Sequence, residues 1–281
     1  MDSYCVFGHP IEHSKSPWIQ TRFAELTGQK LQYEKTKVPL DAFSTTVHAF
    51  RNAGGKGCNV TLPFKTEAAS LATQYSPRVA LAQACNTLIF DGEHIYGENT
   101  DGLGLVTDLV RNAGFKLQGR RILLIGAGGA AAGVLGPLLT EKPLSIWVAN
   151  RSVDKAIQLA ARHASLAASE GVDCRAFGLT HEAILSHSFD LVINASSSSL
   201  NNAALPIPAS VLQANGLACD LMYGPAAQAF MEWALTHGTE ARDGLGMLVE
   251  QAAASFHLWR GVQPPTQQVL VDLRALISPS Q

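Results

Sequence analysis

Arg121–Ala131 reads RILLIGAGGAA. The apolar run Ile122 to Ile125 leads without a break into Gly126-Ala127-Gly128-Gly129-Ala130-Ala131. A buried strand, a glycine turn and a helix start made of small residues is the order that a dinucleotide-binding unit requires. Gly126 permits the tight turn, and Gly128 lets backbone N–H groups approach a pyrophosphate. Ala131, in the third small position, lets helix and strand pack closely. The helix N-terminus adds unpaired N–H groups and a partial positive charge. Ile122 to Thr140 carries no charge, but glycines at 126, 128, 129, 133 and 136, together with Pro137, argue against a membrane span.

Outward from this stretch, 281 residues suggest two domains at roughly 150 residues each. A 47% hydrophobic content supports a substantial core. The formal net charge of −2 offers no basic field for nucleic acid. The start, MDSYCVFGHP, shows no basic-then-apolar leader, which points to the cytoplasm. The five cysteines (5, 58, 85, 174, 219) form no CxxC pair and lie in apolar runs, as reduced buried thiols do. No metal site is expected.

Strand and helix patterns alternate along the chain, which favours an α/β fold with mainly parallel sheets. Ser16-Pro17 opens a helix closed by Gly28, with Ser16 a suitable N-cap; Gly224-Pro225 opens another closed by Gly238. Strands are expected at Tyr4–Gly8, Leu31–Val38 and Gly57–Val60. A hairpin turned at Asp91-Gly92 joins Thr87–Phe90 to His94–Gly97. A helix covers Asp101–Asn112. Beyond it, strands at Ile122–Ile125, Ser145–Ala149, Asp173–Phe177, Leu191–Ala195 and Leu217–Leu221 form the repeat of a doubly wound nucleotide domain. Two helices separated by Gly261 and Pro264-Pro265 follow Met247.

The strand Ile146–Ala149 ends in Asn150-Arg151-Ser152, with Lys155 one turn further, and no Asp or Glu stands at its end. An NAD site places a carboxylate there for the ribose 2′-OH. A guanidinium, an amide and a hydroxyl suit a 2′-phosphate, so the cofactor reading is NADP.

Polar clusters mark the helix starts of the first region: Ser14-Lys15-Ser16-Pro17, Asn59-Val60-Thr61-Leu62-Pro63-Phe64-Lys65, Asn86-Thr87 and Asn99-Thr100-Asp101-Gly102. Each alone has a plain structural use as a cap, a turn or a surface charge. In order along the chain they combine with GAGGA, NRS, the NAS of Asn194–Ser196, DLMYGP from Asp220, and GLGMLVEQA from Gly244. Together they resemble the shikimate dehydrogenase family over essentially the whole chain.

The resemblance implies reversible hydride transfer between shikimate and 3-dehydroshikimate with NADP(H), on the route to chorismate and the aromatic amino acids. It implies an N-terminal α/β substrate domain (1–101 plus 245–281) and a Rossmann-like doubly wound NADP domain (102–244). The C-terminal helices return to the substrate domain, where Gln251 faces the cleft. By matched position, Lys65 and Asp101 are the catalytic pair, and Ser14, Ser16, Thr61, Asn86, Tyr223 and Gln251 are the other substrate ligands. The cofactor residues are Gly126, Ala127, Gly128, Gly129, Ala130, Asn150, Arg151, Ser152, Lys155, Ala195, Ser196, Met222 and Gly244. Lys155 stands where the family often has Arg, and Ser152 where it often has Thr. Burial favours a neutral lysine amine whereas a neighbouring carboxylate favours the ammonium, so proton-transfer and electrostatic roles for Lys65 both stay open. A quinate/shikimate dehydrogenase of broader use and a non-catalytic NADP-binding regulator are the rival readings. Monomer and homodimer are both open.

Overall fold

The computed structural model describes residues 1–196, 206–236 and 238–277. Its contacts divide the chain into two compact units. One is Met1–Gly104 with the chain from Leu248 on, and the other is Leu105–Met247.

The first unit opens with β1 (Asp2–Gly8), α1 (Ser16–Thr27), β2 (Leu31–Lys37), α2 (Phe43–Asn52) and β3 (Gly55–Val60). It continues with α3 (Lys65–Leu71), β4 (Gln74–Tyr75), α4 (Pro77–Ala82) and the hairpin β5 (Thr87–Asp91) and β6 (His94–Glu98). The sheet order is β2-β1-β3-β5-β6-β4. β1 pairs in parallel with β2 and β3, and β5 runs antiparallel to β3 with Asn59 opposite Thr87. One face carries a core of Cys5, Phe7, Phe43, Val47, Cys58, Phe64, Leu88 and Ile95. Phe64 stacks on Phe43 with centroids 4.9 Å apart, which fixes the start of α3 and so the placement of Lys65. Burying a phenylalanine contributes about 2–3 kcal/mol. That anchoring explains why the residue before Lys65 is a large apolar one.

The chain passes to the second unit within α5 (Asp101–Thr107), which continues as a π-helical turn over Asp108–Asn112. The expected single helix over Asp101–Asn112 therefore widens at its end. The cause is visible: Ala113 N–H reaches back five residues to Asp108 C=O, and the fully buried Asp108 carboxylate accepts from Arg242 Nη2 at 2.8 Å and Asn112 Nδ2 at 3.0 Å.

After β7 (Arg121–Ile125) come α6 (Gly129–Thr140), β8 (Ser145–Asn150), α7 (Val153–Arg162), α8 (Ala164–Glu170), β9 (Asp173–Gly178), α9 (Glu182–Leu185) and β10 (Phe189–Asn194). Next are β11 (Leu212–Asp220), α10 (Gln228–Leu235) and β12 (Glu240–Arg242). The sheet order β12-β11-β10-β7-β8-β9 is parallel throughout and reverses between β7 and β10, the doubly wound pattern. The chain returns to the first unit within α11 (Leu245–Arg260) and ends its described part with α12 (Thr266–Ile277).

Local details depart from expectation. Lys15, not Ser16, occupies the N-cap of α1, and no side chain caps it. Gly224-Pro225 starts a 3-10 turn, with the α-helix proper beginning at Gln228 and ending at Leu235. The short edge strands β4 and β12 gave no alternating pattern to read.

His163 caps α7 and is fully buried; its Nδ1 meets Leu159 C=O at 2.9 Å and its Nε2 has no partner. Burial pushes its pKa below the ordinary histidine value. As pH falls the unfolded chain therefore takes the proton first, and stability drops below about pH 6.5. His163→Leu protein is expected to lose less stability than wild type between neutral pH and pH 5. Urea midpoints at both pH values check this, and equal losses would refute it.

Candidate active site

In the first unit, four of the residues expected from the sequence meet. Lys65, the first residue of α3, forms an ion pair with Asp101 Oδ2 at the start of α5. Lys65 retains 14% side-chain exposure and Asp101 7%, so the pair is sheltered but reachable. Asn86 Nδ2 donates to the other oxygen, Asp101 Oδ1, at 2.8 Å, and lies 3.3 Å from Gln251 Oε1 on α11. Asn86 Oδ1 accepts from Thr100 N–H at 2.9 Å. Both carboxylate oxygens of Asp101 are thus committed, one to a cation and one to an amide, which fixes its plane.

Backbone bonds hold these pieces in place. Cys85 N–H donates to Lys65 C=O at 2.8 Å, and Val60 N–H to Asn86 C=O at 2.8 Å. Glu98, nearly fully buried, receives Arg78 Nη2 at 2.8 Å and Asn99 N–H at 2.7 Å, which clamps the turn that delivers Thr100 and Asp101. Burial pushes the neighbouring Cys85 thiol up to about 12, so it packs as an inert neutral group.

Thr61 and the Ser14–Ser16 loop leave the C-terminal ends of the adjacent strands β3 and β1, joined by Thr61 N–H to Phe7 C=O and His9 N–H to Leu62 C=O, both 2.9 Å. Ser16 N–H donates to Ser14 Oγ at 3.3 Å. The hydroxyls of Ser14, Ser16 and Thr61 stand outside the hydrogen-bonded cluster of Lys65, Asn86, Asp101 and Gln251. Tyr223 lies after β11 in the second unit, away in sequence and unit from the other expected substrate residues. The sequence reading missed Ser255, which sits one helical turn after Gln251 on the same face of α11. Its Oγ touches Thr87 Oγ1 at 2.8 Å and Thr100 Oγ1 at 3.2 Å. That i, i+4 spacing was the available signal.

In the second unit, the expected cofactor residues gather at the ends of the central strands. Gly126 has φ +114°, and a Cβ there would stand 2.9 Å from Ala195 C and O and 3.0 Å from Ser196 N. Gly126 is therefore obligatory for two reasons, the left-handed backbone and the crossing of the loop after β10. A Cβ on Gly128 would meet nothing within 4 Å, which leaves open space before α6, whose N-cap no side chain fills. Gly129 and Ala130 begin that helix, and Ala131 is fully buried against the sheet.

Asn194 Nδ2 donates to Asp220 Oδ2 at 3.1 Å, while its Oδ1 accepts from Ser196 Oγ at 2.7 Å, tying β10 to β11. Gly244 N–H donates to Met222 C=O at 2.8 Å, and a Cβ on Gly244 would fall 2.3 Å from Leu221 O. At the end of β8, Asn150 Nδ2 donates to Ser152 C=O at 2.9 Å. Arg151, Ser152 and Lys155 are exposed, and neither Arg151 nor Lys155 is paired among the described residues. An open glycine cradle, uncapped helix N–H groups and an unengaged guanidinium fit a phosphorylated dinucleotide.

Among the described residues, no group of three His, Cys, Asp or Glu side chains is placed to hold a metal ion. No described helix is long and apolar enough to cross a membrane.

Fold and site together define a two-unit α/β protein in which a doubly wound dinucleotide-binding unit accompanies a unit bearing a lysine–carboxylate pair. A family model for the shikimate dehydrogenase substrate binding domain matches residues 6–88. A shikimate/quinate 5-dehydrogenase model matches 108–202, and the shikimate 5′-dehydrogenase C-terminal domain matches 244–270. The chain is 56% identical over 277 residues to the shikimate dehydrogenase (NADP(+)) of Acidovorax sp. strain JS42, covering 99% of this chain and 97% of the relative. It is 57% identical over 276 residues to that of Paracidovorax citrulli, covering 98% and 97%. Among solved structures, an Ael1 enzyme from Pseudomonas putida superposes with TM-score 0.88 at 42% identity, covering 97% of this chain and 98% of that one. Shikimate 5-dehydrogenase from Thermus thermophilus, in complex with NADP(H) and shikimate, superposes with TM-score 0.84 at 29% identity, covering 98% and 99%. The chain belongs to the shikimate dehydrogenase family.

Proposed function

We propose that this chain catalyses the NADP-dependent interconversion of shikimate and 3-dehydroshikimate, a step toward chorismate and the aromatic amino acids. The observation that carries this reading is the sheltered Lys65–Asp101 pair, held on its far side by Asn86. Oxidising a secondary alcohol breaks its C–H and O–H bonds; bound NADP supplies the acceptor for the hydride. The proton goes to a base, and the alcohol oxygen carries alkoxide character as it leaves. Lys65 Nζ takes that proton as the amine and, as the resulting ammonium, places positive charge at the oxygen. Asp101 spends one oxygen on Lys65 and keeps Nζ aimed. Asn86, Gln251, Ser14, Ser16, Thr61 and Tyr223 are the groups proposed to bind the ring hydroxyls and carboxylate.

On the cofactor side, Gly126 to Ala130 hold the pyrophosphate against the start of α6. Ala195, Ser196, Met222 and Gly244 line the strand ends beside it. Asn150, Arg151, Ser152 and Lys155 bind the 2′-phosphate. Arg151→Ala is expected to raise KM for NADP roughly 10- to 100-fold, the value of one or two charge-assisted hydrogen bonds, with little change in KM for NAD. Parallel kinetics with the two nucleotides check this; an equal rise for both would remove Arg151 from phosphate recognition.

The reading as a whole is tested by following reduced nicotinamide absorbance after adding shikimate, with quinate and NAD as comparison arms. Absorbance that does not rise with shikimate and NADP sinks it. A cytoplasmic setting suits the five cysteines, which are all free, four of them buried.

A further inference from the structure

The Asn86–Asp101 contact is the last link of a longer chain. Tyr33 Oη on β2 donates to Asn59 Oδ1 on β3 at 2.7 Å. Asn59 Nδ2 donates to Thr87 Oγ1 on β5 at 3.0 Å, and also to Ser255 Oγ and Asn86 C=O, each at 3.1 Å. Thr87 Oγ1 donates to Asn86 Oδ1 at 2.9 Å. Asn86 Nδ2 then donates to Asp101 Oδ1 at 2.8 Å, leaving Oδ2 for Lys65. Every member from Tyr33 to Asp101 is at most 7% exposed.

The direction of the phenol and amide bonds is determined by chemistry. An amide oxygen accepts only and an amide nitrogen donates only, whereas a hydroxyl has a single proton to give. Tyr33 must donate, because its acceptor is an amide oxygen. Burial also pushes its phenol well above the ordinary tyrosine value, so the proton stays in place. With Asn59 Oδ1 occupied, its NH2 must face Thr87. Thr87 then receives that bond, and its own proton lies within reach of Asn86 Oδ1 at 2.9 Å and Ser255 Oγ at 2.8 Å. Asn86 is left with its NH2 facing the carboxylate. Each donor points one step nearer Asp101, and bonds in series polarise one another in the same sense.

We propose that Tyr33 is a positioning residue for the Lys65–Asp101 pair, acting through Asn59, Thr87 and Asn86. The proposal rests on the catalytic reading of that pair. Without the phenol hydroxyl, Asn59 Oδ1 is buried and unsatisfied, and the amide whose Nδ2 holds Thr87 Oγ1 and Asn86 C=O loses its anchor. Asn86 keeps Thr100 N–H on its Oδ1, but its carbonyl and its neighbour Thr87 lose a fixed partner, so the amide facing Asp101 is held less firmly. Tyr33 touches neither Lys65 nor Asp101, so its effect falls on turnover rather than on nucleotide binding.

Tyr4→Phe is the control. Tyr4 belongs to the same apolar cluster as Tyr33, Val6 and Ile11 and is equally buried, but its hydroxyl meets Arg260 Nη1 instead of the relay. For Tyr33→Phe, kcat for shikimate oxidation is expected to fall about tenfold, the effect of losing one buried orienting hydrogen bond. KM for NADP should stay within about twofold. Tyr4→Phe should keep kcat within about twofold. A double-mutant cycle with Thr87→Val completes the test. A relay predicts that the double variant is little worse than the worse single one, whereas independent losses multiply. The relay is overturned by a wild-type kcat in Tyr33→Phe, by equal kcat losses in both tyrosine variants, or by multiplicative losses in the cycle. Wild-type protein with no shikimate-dependent reduction of NADP instead overturns the catalytic reading itself, and the relay falls with it. Active wild-type protein with an unaffected Tyr33→Phe overturns the relay alone.

Discussion

Lys65→Ala is expected to lower shikimate turnover about 10³-fold while NADPH binding stays near the wild-type level. The size follows from the two duties assigned to Nζ. Positioned proton transfer is worth about 10²–10⁴-fold, and fixed charge at a developing oxyanion about 10²–10³-fold. When one group performs both, its deletion removes them together but not as a product. Nucleotide binding is spared because the glycine loop, the Asn194–Asp220 tie and the Arg151 segment belong to the other compact unit. A complication is structural: truncation leaves the Asp101 carboxylate without its cation in a sheltered place, which destabilises. Lys65→Met retains the apolar stem and serves as the control for lost packing. Single-turnover rates measure the chemical step, and nucleotide fluorescence titration measures binding. Turnover near the wild-type value in either variant would take Lys65 out of the chemistry.

The sequence carried the second unit clearly because its signals are local. A charge-free run ending in glycine gives β7 and the turn, and the missing acid after β8 gives the cofactor preference. Gly126 was legible as a turn glycine, but its second constraint was not. The loop after β10 that presses Ala195 against it lies about 70 residues away in sequence, and no local pattern encodes that approach. The first unit follows the same rule. Lys65, Asn86 and Asp101 could be picked out as polar residues beside helix or strand starts, and family resemblance assigned their roles. The hydrogen bonds linking Asn59, Thr87, Asn86 and Ser255 depend on strand pairing and on the return of α11. Those side chains read as ordinary polar residues until the fold brings them together. β4 and β12 escaped because two or three residues are too few to show a period of two. The π-helical turn escaped because its cause, the pairing of buried Asp108 with half-buried Arg242, spans most of the second unit.

The second large effect is expected at Gly126. Gly126→Ala requires a residue with a side chain to adopt φ +114°, a conformation that non-glycine residues reach only at a cost of about 1–3 kcal/mol. The new methyl also meets backbone, not a yielding side chain: Ala195 C and O at 2.9 Å and Ser196 N at 3.0 Å. Relief demands that one of the two loops withdraw. Either movement separates the residues proposed to hold the pyrophosphate from those proposed to line the strand ends. Crowding of this kind adds a comparable penalty, so the second unit is expected to lose about 3 kcal/mol of stability. NADPH affinity should fall by at least about 100-fold, since phosphate recognition by backbone N–H groups tolerates little displacement. Gly128→Ala provides the comparison. It has an open surrounding and no positive φ, so its stability should change by less than about 1 kcal/mol, and any loss of NADPH affinity reports contact with the nucleotide alone. Thermal unfolding with and without NADPH separates the two effects. Wild-type stability and wild-type nucleotide affinity in Gly126→Ala would mean that neither the backbone angle nor the loop crossing constrains this turn.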